Sequence, residues 1–225
     1  IHTPPDAAAL DRAARRLAFD EMLESALAAR LIRARGAHET AQRMTDTDVS
    51  PLLSALPFAL TGAQKRAITA ISADLAKDKP MRRLVSGDVG SGKTAVAAAA
   101  AYIAVKNGFQ CALMAPTEIL ATQHYNDLEP LFGKLGITVK LLIGSVRARE
   151  RKPIYAGLSD GSVNIVIGTH ALIADEVSFR SLGLVICDEQ HRFGVAQREA
   201  LIAKGSDSMT TVHQLTMSAT PIPRT

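Results

Sequence analysis

The chain has 225 residues, 47% of them hydrophobic, enough for one α/β domain of ordinary size plus an appendage. Trp is absent and aromatic residues make up only 4%, which excludes an aromatic core and leaves an aliphatic one. A formal net charge of +4 is compatible with nucleic acid, but charge alone slightly favours an evenly solvated surface, and no apolar run approaches the ~20 residues of a membrane helix.

Ile1 is the first residue and nothing near it resembles a signal peptide, so the chain is expected to be a piece of something longer. From Asp6 to about Arg43, apolar residues recur at three- and four-residue steps (Leu10, Ala14, Leu17, then Phe19, Leu23, Leu27, Leu31), the pattern of one or two amphipathic helices. Asp6 follows Pro4 and Pro5 as an N-cap, and Gly36 reads as an interruption or a stop. Arg30, Arg33 and Arg35 read as a solvated helix face in preference to a nucleic-acid contact. A polar, Pro-containing connector covers 45–57. The domain division expected is therefore 1–45, a helical linker segment, and 46–225, a single nucleotide-binding domain.

From Leu60 onward strands and helices alternate. Strands are expected at 83–85, 111–114, 140–143, 164–167, 184–187 and 214–217, and helices near 61–76, 94–106, 119–131, 149–158 and 197–204. This alternation predicts a mostly parallel sheet with helices on both faces, with ligands at the carboxyl ends of the strands. Cys111 and Cys187 each lie inside an apolar strand run and read as reduced core residues of a cytosolic protein.

The first motif with chemistry is Gly87-Asp-Val-Gly90-Ser-Gly92-Lys93-Thr94, which fits G-x-x-x-x-G-K-[ST] between an expected strand and an expected helix. The glycines let backbone N–H groups close around phosphate oxygens, and the helix points the positive end of its dipole at the same anion. Lys93 reaches the β- and γ-phosphates, and the Thr94 hydroxyl ligates Mg²⁺. About a hundred residues on, the apolar run 184–187 ends in Asp188-Glu189, the form of a Walker B strand. There Asp188 holds Mg²⁺ and Glu189 activates the attacking water. Ser218-Ala219-Thr220 ends another strand, where hydroxyls usually cap or turn. Thr61 is a helix N-cap, and the Gln64 amide both donates and accepts, which suits the edge of adenine.

Taken in order, the strings around Phe58 to Gln64, Gly87 to Thr94, Ala115-Pro-Thr-Glu118, Gly168-Thr-His170, Asp188-Glu-Gln-His191 and Ser218-Ala-Thr220 resemble the adenine, Walker A, Ia, Ic, Walker B and SAT motifs of superfamily 2 helicases. The longer strings 86–94, 114–124, 188–195 and 219–225 are similar to the RecG family of bacterial branched-DNA helicases. The translocase module of transcription-repair coupling factors shares Gly-Thr-His and Thr-Pro-Ile-Pro-Arg-Thr, but Gln190 and the Leu60-Thr-Gly-Ala-Gln64 string favour the RecG family. The resemblance is close from about Leu56 to Thr225. A small-molecule P-loop kinase would share the phosphate loop but has no need of Gly-Thr-His and Ser-Ala-Thr in this order, and the intact Lys93, Thr94, Asp188 and Glu189 argue against a non-catalytic interaction module.

The resemblance implies a RecA-like ATP-binding motor lobe of a cytoplasmic bacterial enzyme, with ATP and Mg²⁺ as cofactors and branched or forked DNA as partner. It implies Lys93, Thr94 and Asp188 at the phosphates and metal, Glu189 with Gln190 and His191 in the hydrolytic string, and Phe58 and Gln64 at adenine. Pro116, Thr117, Glu118, Gly144, Ser145, Thr169 and His170 would contact a DNA backbone through loops and amides, without reading sequence. Arg147, Arg149, Arg151 and Lys152 read equally as part of that track or as a solvated helix start. Ser218 and Thr220 would couple the two sites. The segment before the motor resembles the RecG linker to a DNA-reading wedge domain. That wedge and the second RecA-like lobe, which supplies arginines to the γ-phosphate, are expected elsewhere in the same full-length protein.

Overall fold

Three of the apolar runs are buried at every residue, as befits central strands of a sheet covered on both faces. The computed structural model describes residues 39–189, 195–206 and 210–219. The elements are α1 (Ser50–Ala55), α2 (Gly62–Leu75), β1 (Arg82–Ser86), α3 (Lys93–Lys106), β2 (Gln110–Met114), α4 (Glu118–Gly133), β3 (Val139–Leu142), α5 (Ala148–Asp160), β4 (Ile165–Gly168), a 3-10 turn (His170–Ile173), β5 (Leu182–Asp188), α6 (Val195–Ala203) and β6 (His213–Ser218).

The six strands form one sheet in the order β1-β6-β5-β2-β4-β3, and every pairing is parallel. The expected alternation of strand and helix is what the structure contains, with strand ends moved by one or two residues. Register brings the carboxyl ends level: Ser86 pairs with Ser218, Asp188 with Met217, and Gly168 with both Met114 and Leu142. The loops that carry the motifs therefore leave from one rim.

Two cores sandwich the sheet. One packs Ile71, Ile103 and Phe132 from α2, α3 and α4 against Leu113, Ile167, Ile186 and Leu215. The other packs Leu158 and Leu201 against Leu142, Val166 and Val185. Helix α3 is unusual in being buried at ten consecutive positions, Ala95 to Ala104. Seven of these ten are alanine, the strongest helix former, and its small side chain lets the backbone approach the sheet on one side and α2 on the other.

Two expectations change at the start of this unit. The helical pattern to about Arg43 does not extend into residues 40–43: Thr40 forms an isolated bridge with Thr210, the Ala41 N–H donates to the Asp78 carbonyl, and the Met44 N–H donates to Leu75. Met44 is fully buried, and seating it on the end of α2 takes the chain out of helical geometry. The expected connector holds the short helix α1, with Pro51 in its first turn where a missing N–H costs nothing. The amphipathic pattern at 6–38, with Arg30, Arg33 and Arg35, lies outside the described residues. Among the described residues no helix is long and apolar enough to cross a membrane.

His213 fastens these pieces together. It is fully buried; its Nδ1 accepts from the Met81 N–H at 3.0 Å, and its Nε2–H donates to the Gln42 carbonyl at 2.7 Å.

Candidate nucleotide and nucleic-acid site

The phosphate loop starts where β1 ends. Gly90 and Gly92 both adopt left-handed backbone (φ 81° and 77°), which only glycine takes without strain. Gly92 is also the N-cap of α3 and brings no capping side chain, so the helix presents its first N–H groups uncovered, as anion sites require. A Cβ at Gly92 would also run into the Gln64 side-chain amide and displace it. Lys93 folds back onto the loop, its Nζ donating to the Gly87 carbonyl at 2.7 Å and the Asp88 carbonyl at 3.0 Å.

Gln64 stands at the start of α2 in a full capping box. The Gln64 N–H donates to Thr61 Oγ1, and the Thr61 N–H donates to Gln64 Oε1. The other end of the amide, Nε2, donates to the Ser91 carbonyl at 2.9 Å. Gln64 thus braces the phosphate loop. Phe58 is 52% exposed and faces a cavity of about 420 Å³ whose walls include Leu56, Thr94, Ala98, Leu128 and Leu131, but not Gln64. Phe58 and Thr94 therefore share one apolar hollow beside the loop.

Strand β5 delivers Asp188 and Glu189 next to this loop by way of β6. The Gly87 N–H donates to the Ser218 carbonyl, the Glu189 N–H donates to the Met217 carbonyl at 2.9 Å, and the Ala219 N–H donates to Glu189 Oε1 at 3.1 Å. Glu189 is the sole non-glycine residue at positive φ among the described residues (51°), and such strain collects at functional sites. Asp188 is buried, and its Oδ2 accepts from His124 Nε2 at 2.8 Å. Ser218 is buried at the end of β6.

The remaining loops of the rim form a second group. Thr117 caps α4, its hydroxyl accepting from the Leu120 N–H. Glu118 reaches across to the loop after β3: Oε1 accepts from the Ser145 N–H at 3.1 Å and Oε2 from the Ser145 hydroxyl at 2.7 Å. Those bonds, the hydroxyl's first, hold the Glu118 carboxyl below the usual carboxylate range. Gly144 fits because a Cβ there would meet Glu118 Oε1 at 2.7 Å. Arg151 braces the same loop from α5, donating to the carbonyls of Val146 and Gly144. Arg147, Arg149 and Lys152 stay exposed. Pro116 is half-buried and His170 exposed, whereas Thr169 is only 3% exposed and its hydroxyl has no partner among the described residues.

This order of loops on an all-parallel sheet agrees with comparison to known proteins. Residues 61–225 match the family model described as DEAD/DEAH box helicase. The chain belongs to the DEAD/DEAH box helicase family. Over its whole length this helicase chain is 47% identical to the ATP-dependent DNA helicase RecG of Bacillus subtilis (strain 168), of which it spans 33%. It is likewise similar to the solved structure of RecG bound to a three-way DNA junction, with a TM-score of 0.81 and 43% identity, covering 96% of this chain and 29% of that one. The DEAD-box helicase Mss116 bound to ssRNA and UDP-BeF shares the fold at 19% identity and a TM-score of 0.62, over 80% of this chain and 39% of that one. The chain thus spans about a third of the length of the curated RecG relatives it matches.

His124 closes the 114–124 string, but the sequence gives it no role of its own. Its signal is a polar residue on the buried stripe of α4, otherwise made of Ala121, Leu128, Leu131 and Phe132. Gln190, His191 and Thr220, expected in the hydrolytic and coupling strings, lie outside the described residues.

Proposed function

We propose that this chain is the ATP-binding motor lobe of an ATP-dependent DNA helicase that remodels branched DNA such as stalled forks and Holliday junctions, acting in the bacterial cytoplasm. The observation that carries the reading is the meeting of the Lys93–Thr94 cradle with Asp188 and Glu189 at one rim, stitched through residues 217–219 of β6. Similarity to RecG helicases over the full chain supports the DNA substrate. The second RecA-like lobe and the wedge domain are partners within the same full-length protein.

In this reading the triphosphate replaces the Gly87 and Asp88 carbonyls as acceptor for Lys93, and the uncapped start of α3 donates to its oxygens. Phe58 packs against adenine in the hollow it shares with Thr94, and Gln64 reads the base edge by exchanging its Ser91 bond. A magnesium site fits the residues present: one buried carboxylate, Asp188, with an Oδ1 that accepts nothing among the described residues, and the Thr94 hydroxyl. No cluster of three or more acidic, His or Cys ligands exists among the described residues, which suits a cation that takes few protein ligands and completes its shell with phosphate and water. Held by Asp188 and Thr94, magnesium would draw charge from the phosphate oxygens. Glu189 orients the attacking water and takes its proton, with Gln190 and His191 in the same string. Its bond to the Ala219 N–H links hydrolysis to Ser218 and Thr220. Backbone amides around Pro116, Thr117, Gly144, Ser145, Thr169 and His170 hold the DNA backbone, and Glu118 holds two of those loops in register.

In the full-length protein, Lys93→Ala is expected to abolish nucleotide binding with the fold intact. Glu189→Gln is expected to retain ATP and to lower kcat by ~10²–10⁴-fold. Turnover of Glu189→Gln at the parental rate would remove the hydrolytic role. The 225-residue chain alone should hydrolyse ATP slowly at best, because arginines from an opposing lobe supply ~10³–10⁵-fold in enzymes of this kind. Robust DNA-stimulated turnover by this chain would contradict the motor-lobe reading.

A further inference from the structure

The two buried histidines among the described residues are satisfied differently. His213 uses both ring nitrogens, as a histidine kept for packing does. His124 is also buried, at 8% exposed, yet its Nδ1 has no hydrogen-bond partner among the described residues. Its one polar engagement among the described residues is Nε2 to Asp188 Oδ2 at 2.8 Å, between side chains 10% and 12% exposed. Since a carboxylate oxygen accepts, the ring hydrogen belongs on Nε2. Nothing else polar among the described residues sets the rotation of this ring, and on α4 it lies between Ala121 and Leu128, one turn to either side, both buried.

We propose that His124 is a positioning residue for the metal-binding acid: its Nε2–H fixes the Asp188 carboxylate in one rotation and leaves Oδ1 to face magnesium. This rests on the proposed role of Asp188. Partners that orient a metal-binding carboxylate are typically worth ~10–100-fold in metal affinity. The placement has a further consequence. Helix α4 begins at Thr117 and Glu118, on the proposed DNA-facing loop, and carries His124 to the metal acid within two turns. One rigid element thus bears on both sites.

The test measures the affinity of the 225-residue chain for a fluorescent ADP analogue, in magnesium and in EDTA. In the wild type magnesium should tighten binding. His124→Leu should reduce that tightening by ~10-fold while leaving the affinity in EDTA unchanged, because only the metal term has been touched. His124→Gln, whose amide nitrogen reaches the place of Nε2, should recover most of it. A His124→Leu variant with the wild-type ratio, or one that weakens equally in both buffers, would overturn the proposal. The wild-type protein offers a readout free of folding effects. With ¹⁵N-labelled histidine, adding magnesium to the ADP complex should shift the Nε2 resonance of His124, and an unmoved resonance would also overturn it. Asp188→Asn separates the two readings: if it keeps the magnesium effect, the metal role of Asp188 fails and the proposal with it. If it loses the effect while His124→Leu keeps it, only the role of His124 fails.

Discussion

Lowering the pH should loosen this domain through His213, by an amount the structure bounds. The ring is fully buried, and burial pushes its pKa below the ordinary 6.5, against the opposing pull of its bond to the Gln42 carbonyl and then of Asp74. Its Nδ1 is already an acceptor for the Met81 N–H, so a proton there would set donor against donor. The unfolded ring has no such restriction and titrates near 6.5. Below that pH the unfolded chain takes up a proton that the folded chain refuses. The stabilisation is therefore complete above pH 6.5 and is lost as the pH falls toward the folded value. If the folded ring takes up no proton at all, the loss between about pH 7.5 and about pH 5.5 reaches its upper bound of about 1.4 kcal/mol. For a domain of this size that is a fall of at most ~3–6 °C in Tm. His213→Phe should remove this component and cost stability at neutral pH. The Met81 N–H, 3% exposed, would be left unpaired at ~1–3 kcal/mol, while the carbonyl of exposed Gln42 turns to water. Urea unfolding of both proteins at the two pH values checks this, since other titrating groups cancel in the difference. Equal pH dependence in wild type and His213→Phe would refute the reasoning.

Two further outcomes follow from burial and backbone geometry. Gly92→Ala should lower the urea midpoint by the equivalent of ~2 kcal/mol, from a left-handed residue with a Cβ and a displaced Gln64 amide; an unchanged midpoint would mean that Gly92 is not held at positive φ. Cys111 and Cys187 are free and buried, with the Cys111 thiol pushed far up and Cys187 to about 11. An aromatic disulfide reagent at mildly alkaline pH should modify neither in the folded chain and both in denaturant, and a rapidly modified thiol in the native protein would count against the buried strands.

What the sequence disclosed, and what it withheld, divides along the range of the interactions. The runs that became β2, β4 and β5 are legible because a strand buried on both faces needs apolar residues at every position. The Thr61 cap is legible because its partner Gln64 is three residues away. Helix α1 was hidden by its length and polarity: six residues with a single buried side chain carry no period. The ring of His124 finds Asp188 64 residues on, and that of His213 finds the Met81 amide 132 residues back. No local pattern encodes such pairings. Glu118 read as a DNA contact from its motif, yet its carboxylate is spent on Ser145, across a loop closed only when α4 packs beside β3. Motifs disclosed which residues gather at the rim; the fold decided which of them hold one another.

Helix α3 gives this lobe its mechanical character. Ten successive residues are wrapped by sheet and neighbouring helices, and close-packed interiors compress little and pass strain onward. A push delivered at Lys93 and Thr94 has no slack to take up along α3. It enters the sheet as a displacement of the whole body.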